Sequence, residues 1–146
     1  MSNSKSEAES EVESESEAER LQRLLFEKLY TSSINDDLES VKLLVRMGAD
    51  VNRGHPEHGA TPLYVASQEG HIEVVRFLVI SNADINIANN DSCTPLFIAS
   101  QNGHLEVVRF LVSSNADINM ATNGGTTPLF ISSQNGHIEV VRFLVS

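Results

Sequence analysis

Tryptophan is absent from this chain of 146 residues, aromatic residues make up only 5% of it, and Cys93 is its single cysteine. A core without large rings has to be built from Leu, Ile and Val, which the 40% hydrophobic content can supply. One thiol excludes an internal disulfide framework and a multi-cysteine zinc site, and it favours a reducing compartment. We therefore predict an intracellular protein with an aliphatic core, located in the cytoplasm or, as the alternative, in the nucleus.

Positive charge is scarce as well, since ten Lys and Arg stand against twenty Asp and Glu and give a net charge of −10. Affinity for a phosphate backbone depends on Lys and Arg that displace counterions, so no nucleic-acid partner is predicted. No apolar run approaches the ~20 residues that span a bilayer, and the first residues lack the apolar stretch of a signal peptide. Membrane insertion is therefore not predicted either.

Residues 1–20 form an acidic tail, with seven Glu against Lys5 and Arg20. The tail has too few apolar residues to offset an ordering entropy of about 1–2 kcal/mol per residue, so we predict that it is disordered or a fraying helix. Ser10, Ser14 and Ser16 each precede a Glu by three residues, a pattern that resembles substrates of acidophilic kinases. We interpret the tail as a solubilising segment, with phosphoregulation as the alternative.

The remainder of the chain is built from repeats of 33 residues, since Thr-Pro-Leu recurs from Thr61, Thr94 and Thr127. Segments 94–113 and 127–146 differ at only two positions, and a degenerate copy lies upstream of Thr61. Such a period indicates a stack of similar units. We divide the chain into the tail, a degenerate capping repeat at 21–60, repeats at 61–93 and 94–126, and a truncated repeat at 127–146.

Each unit reads as two antiparallel helices followed by a polar turn. Thr61 is a typical N-cap, and the proline after it suits the first position of a helix. Gly70 and its counterparts Gly103 and Gly136 are predicted to end that inner helix with a positive φ. A second helix follows from His71 to about Ile80, and the Asn and Asp residues after it indicate a turn.

This combination resembles the ankyrin repeat family, because Thr-Pro-Leu, Gly-His-x-Glu-Val-Val and Ala-Asp-Ile-Asn recur in phase at 33 residues. The resemblance covers residues 27–146 and implies an all-α solenoid of helix-turn-helix units with β-turn loops. One departure is systematic. The family's histidine after Thr-Pro-Leu is replaced by Tyr64, Phe97 and Phe130, and we expect aromatic packing to substitute for its hydrogen bonds.

The resemblance also implies a function, because ankyrin repeats act mainly as binding modules for partner proteins. Their concave surface comprises the turn tips and the inner-helix face, and Tyr64 is the one aromatic anchor expected on it here. Transferred to this sequence, the predicted partner-binding residues are Glu57, His58, Ala60, Tyr64, Gln68, Glu69, Asn90, Asp91, Cys93, Gln101, Asn102, Asn123, Gly124, Thr126, Gln134 and Asn135.

No catalytic, cofactor or metal site is predicted. His71, His104 and His137 recur one per unit, and helices that pack about 8–10 Å apart cannot bring two of them to one metal ion. We expect them to act in the turn between helices. His55 and His58 alone make a weak metal site, and Cys93 has no histidine base nearby in sequence, which favours an inert thiol. We therefore predict a protein without enzymatic activity.

Two alternatives to a binding module remain open. One is a structural spacer or self-associating segment of a longer array, and the other is an enzyme regulator whose acidic tail acts on a basic partner. The last repeat lacks a polar outer face, as terminal repeats normally need. Homo-oligomerisation through this end is therefore expected to use Ile131, Val140, Val141, Phe143 and Leu144.

Overall fold

The structure is a computed structural model that describes residues 14–146, and within that range it contains eight helices and no strand. In chain order they are α1 (Glu17–Ile34), α2 (Leu38–Arg46), α3 (Pro62–Glu69), α4 (Ile72–Ile80), α5 (Pro95–Gln101), α6 (Leu105–Ser113), α7 (Pro128–Gln134) and α8 (Ile138–Val145). The all-helical prediction is confirmed. The predictions made for residues 1–13, including Ser10, lie outside the described residues.

Consecutive helices pair as hairpins, and the hairpins stack. The inner helices α1, α3, α5 and α7 pack side by side, and the outer helices α2, α4, α6 and α8 form a second row. The largest buried side chains are aliphatic, and each is at most 1% exposed: Leu29, Leu63, Leu78, Leu96 and Leu111. The core therefore runs along the whole stack and depends on contacts between neighbouring units, as in other solenoids.

The caps that the sequence indicates set the helix ends. Thr61 and Thr94 accept hydrogen bonds through their hydroxyls from backbone N–H groups three residues ahead, both at 3.1 Å. Gly70 has φ +76°, and both Gly103 and Gly136 have φ +73°. A side chain at such an angle is strained, which explains why glycine recurs at this place.

Helix α1 begins at Glu17, three residues before the predicted end of the acidic tail at Arg20. The Ser16 hydroxyl caps it by accepting from the Glu19 N–H at 3.1 Å. Glu17 and Glu19 lie in the first turn, where the partial positive charge of a helix N-terminus favours acids. The last part of the tail is therefore a capped helix start.

The inner helix α3 is buried more completely than its sequence pattern indicates. Leu63, Ala66 and Ser67 fall at i, i+3 and i+4 on one face, yet every residue from 62 to 67 is buried. Helix α3 lies between α1 and α5 and also packs on α4, so few of its side chains can reach solvent. Burial on several sides removes the amphipathic signal that a surface helix would show.

Each histidine at the start of an outer helix bridges two units. His71, His104 and His137 donate through Nε2 to backbone carbonyls of the preceding unit, at 2.8, 2.9 and 2.8 Å respectively. The acceptors are the carbonyls of Ile34, Gln68 and Gln101. The histidines thus join one unit to the next, beyond the role in the turn of their own unit that we expected.

Ser67 and Ser100 have buried hydroxyls without a hydrogen-bond partner among the described residues. We expect Ser100→Ala to raise the free energy of unfolding by about 1 kcal/mol, because an unsatisfied buried hydroxyl retains its desolvation cost. The equivalent Ser133 is exposed and donates to the Leu129 carbonyl at 2.7 Å, so Ser133→Ala is the matched control. Urea denaturation should show a gain for Ser100→Ala only. Equal changes in the two variants would contradict this assignment.

Candidate protein-binding surface

Three turns project from the stack between consecutive units, and we call them fingers 1, 2 and 3, comprising residues 55–60, 89–93 and 122–126. Each is closed by a backbone hydrogen bond across its base. The His55 N–H donates to the Ala60 carbonyl at 2.8 Å, and the Asn89 and Thr122 N–H groups donate to the carbonyls of Cys93 and Thr126, both at 2.9 Å. The fingers and the inner helices together form the predicted concave surface.

The fingers are also hydrogen-bonded to one another. The Asn90 N–H donates to the His58 carbonyl at 2.9 Å, and the Asn123 N–H donates to the Asp91 carbonyl at 3.0 Å. Ser92 donates its hydroxyl to Oδ1 of Asn123 at 2.7 Å. These bonds fix the spacing of the fingers, so the surface is formed before any partner arrives.

Four asparagines predicted to bind a partner also join the units through their side-chain amides. Asn90 and Asn123 donate to the carbonyls of Glu57 and Asn90, at 3.0 and 3.2 Å. Asn102 and Asn135 donate to the carbonyls of Gln68 and Gln101, both at 3.0 Å. One NH₂ hydrogen of each asparagine is therefore already used between units, and partner binding by these residues stays a prediction.

Tyr64, the predicted aromatic anchor, is only 8% exposed and packs with Ala60, Val65 and Ile98. Its hydroxyl accepts from the Asn89 side chain at 3.3 Å. Burial raises the pKa of Tyr64 to about 12, with smaller contributions from nearby Cys93 and Asp91. Tyr64 therefore supports finger 2 from beneath and offers a partner little area, which corrects its assignment as an exposed anchor.

The aromatic residues after Thr-Pro-Leu differ in their surroundings. Phe97 is 5% exposed, like Tyr64, whereas Phe130 is 58% exposed. Packing therefore replaces the family's histidine in the units that begin at Thr61 and Thr94. In the last unit the ring is open to solvent.

Several predicted residues are accessible. Glu57, His58, Glu69 and Asp91 are exposed, as are Asn123, Gly124, Gln134 and the outer parts of Asn90, Asn102 and Asn135. Gln68, Gln101, Cys93 and Thr126 are half-buried, and Ala60 is buried. The side chains of Gln68, Glu69, Gln101 and Gln134 form no hydrogen bond or ion pair with the part of the chain that the structure describes. They are the free polar groups on the inner-helix face.

Cys93 lies half-buried at the base of finger 2. Burial raises the pKa of its thiol, and the carboxylate of Asp91 adds to that shift. A raised thiol pKa lowers the thiolate fraction, which is the opposite of what a nucleophile needs. The inert thiol expected from the sequence agrees with this environment.

A cluster beside finger 1 was missed by sequence reasoning. The rings of His55 and His58 stack in parallel with centroids 3.9 Å apart, and Tyr30 lies 5.3 Å from His55. Arg53 lies over the ring of Phe26 at 5.3 Å. Phe26 and Tyr30 are one helical turn apart on α1, and this i, i+4 spacing was the available signal. We call Phe26, Tyr30, Arg53, His55 and His58 the finger 1 cluster.

The residues predicted for self-association are mostly packed inside the last unit. Val140 is 1% exposed, and Ile131, Val141, Phe143 and Leu144 are half-buried. Arg109 covers the ring of Phe143 at 5.3 Å. The apolar side chains that are exposed in this unit are instead Leu129, Phe130, Ile138 and Val145. Burial of Val140 in the core corrects its assignment to an exposed contact surface.

No group of three or more potential metal ligands occurs among residues 14–146. No helix in that range is long and apolar enough to cross a membrane.

Stacked helical hairpins with projecting fingers define a repeat solenoid that offers one preformed surface. The profile for ankyrin repeats in three copies matches residues 21–89 and 80–146, and the chain belongs to the ankyrin repeat family. Ankyrin repeats are protein-interaction modules.

The chain is also similar to parts of curated proteins. It is 40% identical to mouse protein phosphatase 1 regulatory subunit 27 over 63 residues. This aligned segment covers 43% of this chain and 40% of the mouse protein. It is also 40% identical to human ARF GTPase-activating protein GIT2 over 60 residues, a segment that makes up 41% of this chain and 8% of the human protein. The chain therefore spans less than half the length of these relatives.

Proposed function

We propose that this chain is a non-enzymatic module that binds a partner protein through the concave surface formed by fingers 1 to 3 and the inner helices. The observation that carries the proposal is the contrast between committed and free groups on that surface. Backbone and asparagine hydrogen bonds fix the fingers, while Gln68, Glu69, Gln101 and Gln134 stay uncommitted. A rigid frame lowers the ordering cost of binding.

Exposed acidic side chains also make the concave surface negatively charged. Glu57, Glu69 and Asp91 are exposed acids on finger 1, at the end of α3 and on finger 2. The net charge of −10 has the same sign. A partner with basic residues would therefore be attracted and oriented, because complementary charge mainly sets association rate and specificity. The single cysteine supports an intracellular site of action, in the cytoplasm or nucleus.

The test compares two charge reversals of equal size. Glu69→Lys with Asp91→Lys changes the concave surface, and Glu73→Lys with Glu106→Lys changes exposed acids of the outer helices α4 and α6. Proteins captured by the full chain are identified by mass spectrometry, purified, and measured by calorimetry. We expect the concave pair to weaken binding by about tenfold or more, whereas the outer pair stays within about twofold.

Two results would contradict the proposal: equal losses from both pairs, or a loss from the outer pair alone. The alternatives raised by the sequence are separable in the same assay. A spacer or self-associating segment does not need the concave surface, so reversal at Glu69 and Asp91 would leave its assembly unchanged. A regulator acting through the acidic tail would instead lose its partner when the tail is removed.

A further inference from the structure

The finger 1 cluster borders a cavity of about 230 Å³ at the end of the concave surface, between α1 and finger 1. Its walls include Arg23, Phe26, Tyr30, Arg53, His55 and Pro56. Ligand pockets for free small molecules are usually about 300–1,000 Å³, so this cavity is sized for a single side chain.

Hydrogen bonds from the backbone set the tautomer of the two stacked imidazoles, that is, which ring nitrogen carries the hydrogen. Nδ1 of His55 accepts from the Glu57 N–H at 3.2 Å, and Nδ1 of His58 accepts from the Ala60 N–H at 3.4 Å. A neutral imidazole that accepts at Nδ1 carries its proton on Nε2. Both rings therefore present an Nε2–H donor away from the finger backbone.

One of these donors is used and the other is free. Nε2 of His58 lies 3.4 Å from the Tyr30 hydroxyl oxygen, which can accept from it. The Tyr30 hydroxyl keeps its own proton for a further bond, and burial raises the pKa of that hydroxyl, which holds it protonated. Nε2 of His55 has no hydrogen-bond partner among the described residues.

Arg53 adds the positive charge. Its guanidinium is held over Phe26 at 5.3 Å and forms no ion pair or hydrogen bond with the described part of the chain. The neighbouring Arg23 is different, because Glu15 binds it at 3.1 Å and Glu27 at 3.5 Å. A guanidinium that packs on a ring retains its planar set of donors for an anion.

The free polar groups of the cavity are hydrogen-bond donors, and this indicates the charge of the ligand. Arg53, the Nε2–H of His55 and the hydroxyl of Tyr30 are donors, while the one carboxylate on the cavity wall, Glu27, is already used by Arg23. We propose, on the basis of the proposed function, that this cavity binds an anionic side chain of the partner protein, a carboxylate or a phosphoryl group. The rest of the partner would then extend over the fingers toward Glu69 and Asp91.

The carboxylate of Glu15 provides a precedent within the chain. It meets Arg23 through both oxygens, at 3.1 and 3.4 Å, directly beside Arg53. Arg23 holds the pKa of Glu15 below its ordinary value, and Arg20 and Arg53 contribute to the same shift. This corner of the molecule already binds one carboxylate, and Glu15 is a local competitor for a second.

The experiment follows the imidazole signals of the full chain by NMR during titration with three capped tripeptides at constant pH and ionic strength. The probes are Ac-Gly-Glu-Gly-NH₂, Ac-Gly-phosphoSer-Gly-NH₂ and the neutral Ac-Gly-Gln-Gly-NH₂. We expect saturable shifts at His55 and His58 with one or both acidic probes, and none with the neutral probe. His71, His104 and His137 serve as internal references, because their Nε2 atoms are bound to carbonyls.

Three variants sharpen the result. Arg53→Gln should weaken binding of the acidic probe by about tenfold, because it removes the one uncommitted cation of the cavity. Arg46→Gln is the matched control, since it removes an exposed positive charge from the outer helix α2. Glu15→Gln should strengthen binding by about twofold or more, because it removes the closer of the two carboxylates that bind Arg23 and leaves only the Glu27 pair.

The inference is overturned if the neutral probe gives the same shifts, if all five histidines respond alike, or if Arg53→Gln and Arg46→Gln have equal effects. Failure here leaves the proposed function testable by itself. Loss of partner binding on reversal of Glu69 and Asp91, together with no selective response at His55, would keep the module and reject the anion site. A stronger response to the phosphoserine probe would identify a phosphoryl ligand, and a stronger response to the glutamate probe a carboxylate, and either supports the site.

Discussion

Gly103→Val, in the turn between α5 and α6, is expected to lower the free energy of unfolding far more than the neighbouring Asn102→Ala. Gly103 has φ +73°, an angle that costs a β-branched residue about 1–3 kcal/mol. A Cβ atom at this position would also lie 2.5 Å from Nδ1 and 2.7 Å from Cε1 of His137. The imidazole would have to move, and its hydrogen bond to the Gln101 carbonyl would be lost with it.

The chain contains its own control for this prediction. Gly136 has the same φ of +73°, but a Cβ atom there would meet nothing within 4 Å. Gly136→Val therefore carries the backbone strain without the collision. In thermal and urea unfolding, we expect Gly103→Val to lose more free energy of unfolding than Gly136→Val. Asn102→Ala should lose less than either, because it removes one hydrogen bond, worth about 0.5–1.5 kcal/mol. If Gly103→Val and Gly136→Val had the same melting temperature, displacement of the His137 imidazole would not affect stability, and its hydrogen bond to the Gln101 carbonyl would not help to join the units.

The architecture was predictable because its signals are local and repeated. Thr61 and Gly70 mark the two ends of one helix through the chemistry of a hydroxyl cap and of a positive φ, and both recur at 33 residues. Each repetition is an independent observation of the same unit. A helix-end signal that would be weak in one segment therefore predicts the helix ends well when it recurs in three segments.

The use of individual side chains was less predictable, because it depends on what the neighbouring unit supplies. Asn90 looks like a free surface amide in the sequence, yet it donates to the carbonyl of Glu57, 33 residues earlier. Tyr64 looks like an anchor, yet Asn89 of the next finger binds its hydroxyl. The 33-residue period places residues of neighbouring units side by side. It does not predict which polar side chains form hydrogen bonds between the units and which remain available to a partner.

The finger 1 cluster was hidden for a second reason. Its members come from the degenerate unit, where the repeat no longer predicts which positions meet. Phe26 and Tyr30 lie on α1, Arg53 lies just before finger 1, and His55 and His58 lie on finger 1, which has one residue more than the other fingers. Without a matching copy elsewhere in the chain, only the three-dimensional arrangement shows that Arg53 packs on Phe26.

Leu29→Ala is expected to lower the free energy of unfolding by about 2–5 kcal/mol, the usual cost of removing a fully buried leucine side chain. Leu29 is 0% exposed and belongs to the same core as Leu63 and Leu78. Helix α1 packs against α3 as well as α2, so a cavity at Leu29 weakens the contact of the first unit with the second. A loss of this size would show that α1 caps the stack as an integral part of it.

Leu21 provides the comparison on the same helix. Leu21, Leu24, Leu25 and Leu29 recur at helical spacing, but Leu21 and Leu24 are 51% and 42% exposed, whereas Leu25 and Leu29 are buried. Leu21→Ala should therefore change the free energy of unfolding by less than about 0.5 kcal/mol, as substitutions at exposed positions usually do. Urea denaturation of both variants measures the difference. Similar losses from Leu21→Ala and Leu29→Ala would mean that α1 buries a different face against the stack, whereas a small loss from both would mean that the stack is stable without it.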